Sequence, residues 1–237
     1  MKSSKTLDQF DFLAGETLLV DKPKDWTSFD VVNKIRGKLR RLLQLKKMKV
    51  GHAGTLDPMA TGLLIICTGK STKKLHEFQG LPKSYTGTIR LGATTPSYDA
   101  ETPVNEEFPT KHIDEALLES ARQTFLGDLE QIPPMFSAIK VDGQPLYKKA
   151  RKGILVEVKP RPVHISKFDL ENIQLPDLDF EVDCSKGTYI RSLAYDFGKA
   201  VRSGGYLTRL CRTRIGDFRL EDAWNLADLV DFLSTET

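Results

Sequence analysis

The period of apolar positions changes several times along the chain, and each change marks an element. Thr17 to Asp21 (TLLVD) is a short apolar strand ended by Lys22-Pro23. Ser28 then reads as the N-cap of a helix whose Phe29, Val32, Ile35, Leu39 and Leu42 keep helical spacing. Leu63 to Cys67 is an unbroken apolar run stopped near Gly69, the pattern of a strand buried on both faces. Lys73 to Gln79 predicts a short helix closed by Gly80, and Lys83 to Leu91 a strand stopped by Gly92. Asp114 to Phe125 predicts an amphipathic helix with Ala116, Leu117, Ala121 and Phe125 inward. Ile154 to Val158, Val163 to Leu170 and Leu178 to Cys184 alternate as sheet strands. Tyr189 to Val201 predicts a helix, Tyr206 to Phe218 a strand region and Leu226 to Leu233 a last helix. The segment from Thr94 to Pro109 is a polar loop, and no internal repeat or low-complexity linker interrupts the order. The fold class is α+β: non-adjacent strands forming one mixed sheet with helices around it.

Charge alters this picture more than composition does. A length of 237 residues, with 40% hydrophobic and 28% charged content, suits a soluble globular chain with a real core. The net charge of +3 hides blocks. Lys34 to Lys49 holds eight basic residues and no acid, whereas Asp99 to Glu130 holds nine acids against Lys111 and Arg122. Lys186 to Arg219 is again basic, and the tail from Leu220 is acidic. Two basic blocks beside glycine-rich motifs point to a polyanion-binding face. No apolar run reaches the ~20 residues of a membrane span, and the N-terminus lacks a signal-peptide core, so a cytoplasmic protein is expected. Cys67, Cys184 and Cys211 are far apart and read as reduced. The four histidines show no ligand spacing, so no metal and no organic cofactor is expected.

The candidate chemistry lies in Lys49 to Thr72, KVGHAGTLDPMATGLLIICTGKST. Gly51, Gly54 and Gly62 allow a tight loop, and the apolar run behind it gives that loop a rigid floor. Asp57 is the carboxylate held there, with His52 and Thr55 as polar neighbours among small residues. Asp before Pro is also a common turn former, so the dipeptide alone says little. The end of the block, Thr68-Gly69-Lys70-Ser71, imitates a phosphate-binding P-loop. That motif needs a glycine at position 64, where Leu64 stands, so the spacing excludes it. A stiff excursion follows later, Gln131 to Gly143, with two prolines, Phe136 and an Asp142-Gly143 turn. It runs into a basic helix containing Tyr147, Lys148, Lys149 and Arg151. Aromatic and basic residues on an excursion are suited to gripping nucleic acid.

GHAGTLDPMATGLLIICTGKSTK closely resembles the central motif of the TruB-type tRNA pseudouridine synthases, and the resemblance extends over most of the chain. DKPKDWTSFDVV, KSYTG, QIPPMFSAIKVDGQPLYKKARKG, CSKGTYIRSLAYDFG and YLTRLCRTRIGDF are each similar to a family segment. The resemblance implies a catalytic domain spanning 1–237, with an RNA-gripping thumb insertion at about 131–153. It implies Asp57 as nucleophile, Tyr85 as the active-site tyrosine and Arg191 as the partner of the Asp57 carboxylate. Tyr189 and Leu210 would line the uridine pocket, and His52 would lie beside the displaced target loop. The implied reaction is isomerisation of the uridine at position 55 in the tRNA T loop, with base flipping, without a cofactor and without an obligate protein partner. The chain departs from the family pattern at Asp25, where a glycine is usual, and in the acidic loop TPSYDAET. It also stops at Thr237, short of the family's full C-terminal RNA-binding domain, as expected of a bacterial form lacking that domain. The competing class is a module that binds tRNA with the same basic surface and performs no chemistry.

Overall fold

The structure is a computed structural model that describes residues 6–234 except Asp142, Arg151 and Leu155. The expected turn residue Asp142, Arg151 of the expected basic helix and Glu236 of the acidic tail therefore lie outside the described residues. The architecture is α+β, and its strand pairing is mixed and largely antiparallel. The chain forms two compact units, Met1–Tyr85 with Leu210–Thr237, and Thr86–Arg209.

In the first unit the apolar run becomes the strand Thr61–Thr68, on which the unit is built. It pairs antiparallel with Thr17–Lys22 and with Val50–His52, and parallel with Cys211 and Arg212. Its side chains alternate between two apolar clusters. Leu64 and Ile66 join Val31, Val32, Ile35 and Leu39 from the helix Ser28–Leu42, together with Leu226 and Leu229 from the helix Leu226–Phe232. Leu63, Ile65 and Cys67 join Ala53, Ile215 and Ala223 on the other face. Burial on both faces is why the run shows no polar alternation.

The Ser28–Leu42 helix corrects two expectations. Its N-cap is Thr27, whose side chain accepts from the Asp30 amide while the Asp30 carboxylate accepts from the Thr27 amide. Phe29 is 60% exposed, because the buried stripe runs through Ser28, Val31, Val32, Ile35 and Leu39. The segment after Thr68 begins as the 3₁₀ turn Gly69–Lys74 and becomes α-helical only at Leu75–Gly80.

In the second unit Arg161–Gln174 and Asp177–Cys184 form a long hairpin, and Gly127–Gln131 pairs with the outer side of the first strand. Phe168 on this sheet meets Phe197 of the helix Ile190–Ala200 edge to face at 5.5 Å and Phe180 at 6.1 Å. The helix Glu115–Gln123 buries Leu118 and Ala121, while the expected inward residue Ala116 is exposed. The described residues of the expected strand Ile154 to Val158 form none. The pairing that would extend to them ends at Arg161 opposite Gln131, so they have no ladder partner. The tip of the excursion does form a small hairpin, Lys140–Val141 with Gln144–Pro145, followed by the helix Leu146–Ala150.

Candidate active site

Asp57 sits half-buried on the loop joining the strands Val50–His52 and Thr61–Thr68. The loop's backbone groups are taken up one after another. Ala60 N–H donates to Asp57 O at 3.1 Å, closing a turn around the carboxylate residue. The buried Ser28 Oγ accepts from Leu56 N–H at 2.8 Å and donates to Leu56 O at 3.3 Å. Pro58 O accepts from the Asp25 amide at 2.8 Å and from Lys22 Nζ at 3.2 Å. Lys22 is fully buried, and its ammonium also donates to Pro23 O and Trp26 O. Asp25 reaches Pro58 by adopting φ +65°, a conformation that favours glycine, so the departure noted at this position keeps a glycine-like backbone.

A further buried cation closes the loop. Arg212 is 1% exposed, and its Nε donates to Leu63 O at 2.8 Å and its Nη2 to Gly54 O at 3.2 Å. Gly62, at φ +103°, runs directly beside the backbone of Arg212, and a Cβ there would lie 2.4 Å from Arg212 O. Burial pushes the His52 imidazole below its ordinary pKa. The Gly54 backbone raises it slightly and the Arg212 charge lowers it again, so His52 is neutral near pH 7. Tyr85 is buried on the strand Lys83–Leu91, anchored nearby by Lys83 Nζ, which donates to Gln79 O and Leu81 O. Leu210 is buried at the start of this unit's C-terminal segment.

Tyr189 and Arg191 belong to the second unit. Tyr189 is the N-cap residue of the helix Ile190–Ala200, and its N–H and C=O are both bonded by the Gln131 side-chain amide. Arg191 is buried, with Nη1 donating to Ser97 O at 3.0 Å, Nη2 to Phe136 O at 2.8 Å, and Nε 3.6 Å from Asp99 Oδ2. Ser192 Oγ donates to Ile132 O at 2.8 Å. The base of the excursion is thus tied to one helix at Gln131, Ile132 and Phe136. Asp99, itself 1% exposed at its side chain, is a partner of Arg191 that the sequence reading missed. It lies in the altered acidic loop, where the only signal was one carboxylate among several. Lys22, Ser28 and Arg212 were missed for a similar reason, since each lies in a recognised segment without a chemical signature of its own.

The first unit also holds a cavity of about 870 Å³ lined by Arg36, Arg40, Lys46, Lys47, Lys49, Lys70 and Lys73, with no carboxylate in its wall. Among the described residues no group of three His, Cys, Asp or Glu side chains is placed to hold a metal ion. A carboxylate on a loop whose backbone is held by buried side chains, in a unit that also carries a carboxylate-free cationic cavity, is suited to a catalytic domain for a polyanionic substrate.

Comparison with known proteins specifies the class. Residues 40–190 match the model of the TruB family pseudouridylate synthases, N-terminal domain. The chain is 56% identical over 214 residues to tRNA pseudouridine synthase B of Flavobacterium johnsoniae, covering 90% of this chain and 93% of that one. It is 53% identical over 225 residues to the enzyme of the same name from Phocaeicola vulgatus, covering 95% and 96%. Among solved structures it resembles a chain of a Cbf5-Nop10-Gar1 complex, with TM-score 0.69 and 28% identity over 93% of this chain and 54% of that one, about half of its length. The chain belongs to the TruB family of pseudouridylate synthases.

Proposed function

We propose that this protein isomerises uridine to pseudouridine at position 55 in the T loop of tRNA, with Asp57 as nucleophile. It would act in the cytoplasm, without a cofactor and without an obligate protein partner. The observation that carries the reading is the Asp57 loop, whose Gly54, Leu56 and Pro58 backbone groups are fixed by buried side chains in a chain of this family. A carboxylate so placed cannot drift during a reaction that must break the C1′–N1 bond and remake it to C5.

The target base is stacked in the folded T loop and must be flipped out first. Asp57 then acts at C1′, by addition or by assisting departure of the base. Tyr85 stacks on the base, Tyr189 and Leu210 bound the pocket, and neutral His52 lies beside the displaced target loop without adding charge. Arg191 pairs with the Asp57 carboxylate and orients it, the role the family resemblance gives it. The segment 131–153 grips the RNA as a thumb. The cationic cavity supplies phosphate contacts to the T arm, since its seven cations share the wall with no carboxylate. The bond broken and the bond made belong to the same nucleotide, so the reaction needs no redox partner.

The test is to incubate the purified protein with an unmodified tRNA transcript and map pseudouridine by carbodiimide adduct and primer extension. Asp57→Asn, which keeps shape and removes charge, runs in parallel. The expected result is one new adduct in the T loop with the native protein and none with the variant. Salt-dependent tRNA binding by both, with no adduct from either, would instead establish the binding-module class.

A further inference from the structure

Arg212, like Lys22, is a fully buried cation bonded to the Asp57 loop. It is among the largest fully buried side chains, and no carboxylate pairs with it among the described residues. Burying a guanidinium without a counter-charge is costly unless its donors are used elsewhere. Here they are spent on two backbone carbonyls that bracket the Asp57 loop, Gly54 O before it and Leu63 O after it. The backbone of Arg212 serves the same end of the loop, because it pairs in parallel with Gly62 at a separation that only glycine permits. Strand alternation puts Arg212 on the same face as Leu210, the residue assigned to the uridine pocket. One planar fork therefore fastens both ends of the loop to a buried strand.

We infer that Arg212 is a positioning residue for the isomerisation: its guanidinium clamps Gly54 O and Leu63 O so that the loop presents Asp57 in one place. This rests on the assignment of Asp57 made above. Ser28 and Lys22 hold the middle of the loop at Leu56 and Pro58, but neither spans its two ends. A lysine at 212 would keep the charge and lose the fork, since one ammonium on a flexible stem does not match two fixed acceptors. A methionine would fill similar space with neither.

The test compares Arg212→Met and Arg212→Lys with the native protein. Turnover is read from tritium released from C5 of labelled uridine in tRNA, and tRNA affinity is measured separately. Backbone hydrogen exchange is followed at Leu56 and Ala60, whose amides donate to Ser28 Oγ and to Asp57 O. Arg212→Met should lose about a hundredfold in kcat, the order that follows from misplacing a reacting group by about 1 Å. KM and tRNA affinity should be unchanged, and exchange should accelerate at Leu56 and Ala60 but not in the strand Thr61–Thr68. Arg212→Lys should fall between Met and the native residue. Native kcat in a folded Arg212→Met, or a loss confined to KM and affinity, overturns the inference. If Arg212→Met does not fold, Arg212→Lys decides: lower kcat with faster loop exchange supports the clamp, and native kcat overturns it. Asp57→Asn separates the two readings. If it is active, the assignment of Asp57 fails; if it is inactive beside a fully active Arg212→Met, only the role of Arg212 fails.

Discussion

Gly54 and Gly62 lie at the two ends of the same loop, both with positive φ, and their replacement by alanine should have different consequences. At Gly54, φ +92°, a Cβ would meet only Nη1 of Arg212 at 3.6 Å, an ordinary contact. The cost there is the left-handed backbone alone, about 1–2 kcal/mol. At Gly62, φ +103°, the same Cβ would lie 2.4 Å from Arg212 O and 2.7 Å from Arg212 N, atoms that no rotamer change can move. To the backbone term is added about 1–3 kcal/mol for forcing the parallel strands apart. A weakened ladder bond adds about 0.5–1.5 kcal/mol. Gly62→Ala should therefore cost about 2.5–6.5 kcal/mol, a large part of the 5–15 kcal/mol that typically holds a domain folded. At about 2–4 °C per kcal/mol, thermal unfolding followed by circular dichroism should show Gly62→Ala melting at least ~5 °C below native. Gly54→Ala should melt only about 2–8 °C below native and above Gly62→Ala in the same scan. Equal shifts for the two variants would refute the argument, because they share the φ penalty and differ only in what the new Cβ meets.

Ser28→Ala leaves the Leu56 N–H and C=O buried without their partner, which should cost about 1–3 kcal/mol and lower kcat more than tRNA affinity; steady-state kinetics with a melting curve checks both. The His52 imidazole has a folded pKa below its unfolded value of 6.5, so the unfolded chain binds more protons as pH falls through that value. Stability should accordingly fall below about pH 6.5, and His52→Gln should flatten that fall in urea titrations at pH 7.5 and 5.5. Lys47 lines the cationic cavity, and Lys47→Ala should weaken tRNA binding and reduce the slope of log K against log salt by about 0.7–0.9; an unchanged slope removes Lys47 from the phosphate contacts.

Much of the architecture was legible because it is local. A run of apolar residues without polar alternation announces a strand covered on both faces, and Leu63 to Cys67 became the centre of its unit. Gly54 and Gly62 were legible for the same reason, since their backbone angles are a property of one residue each, whereas Gly51 belongs to the strand Val50–His52 and has no positive φ. The family motifs placed Asp57 on a tight loop, and that is where it lies. What the sequence could not determine were choices among equivalent local solutions. Thr27 and Ser28 are both good N-caps, and the cap went to Thr27 because Ser28 is used by Leu56, 28 residues away. Phe29 has helical spacing from Val32, yet the side of the helix that is buried depends on where the strand Thr61–Thr68 lies. The described residues of the expected strand at Ile154 to Val158 had the right pattern and no ladder partner among the described residues.

The site divides along the same line. The carboxylate in the glycine loop and the strand that follows it could be read from local pattern. What holds the loop depends on partners distant in the chain: Arg212 reaches Gly54 across 158 residues, and Lys22 reaches Pro58 across 36. The tertiary structure also gave Arg191 the carboxylate of Asp99 and the carbonyl of Phe136. Backbone carbonyls carry no sequence signal, and a long cationic side chain satisfies whichever acceptors the folded chain brings to it. The identity of such partners is therefore set by packing, after the local elements have formed.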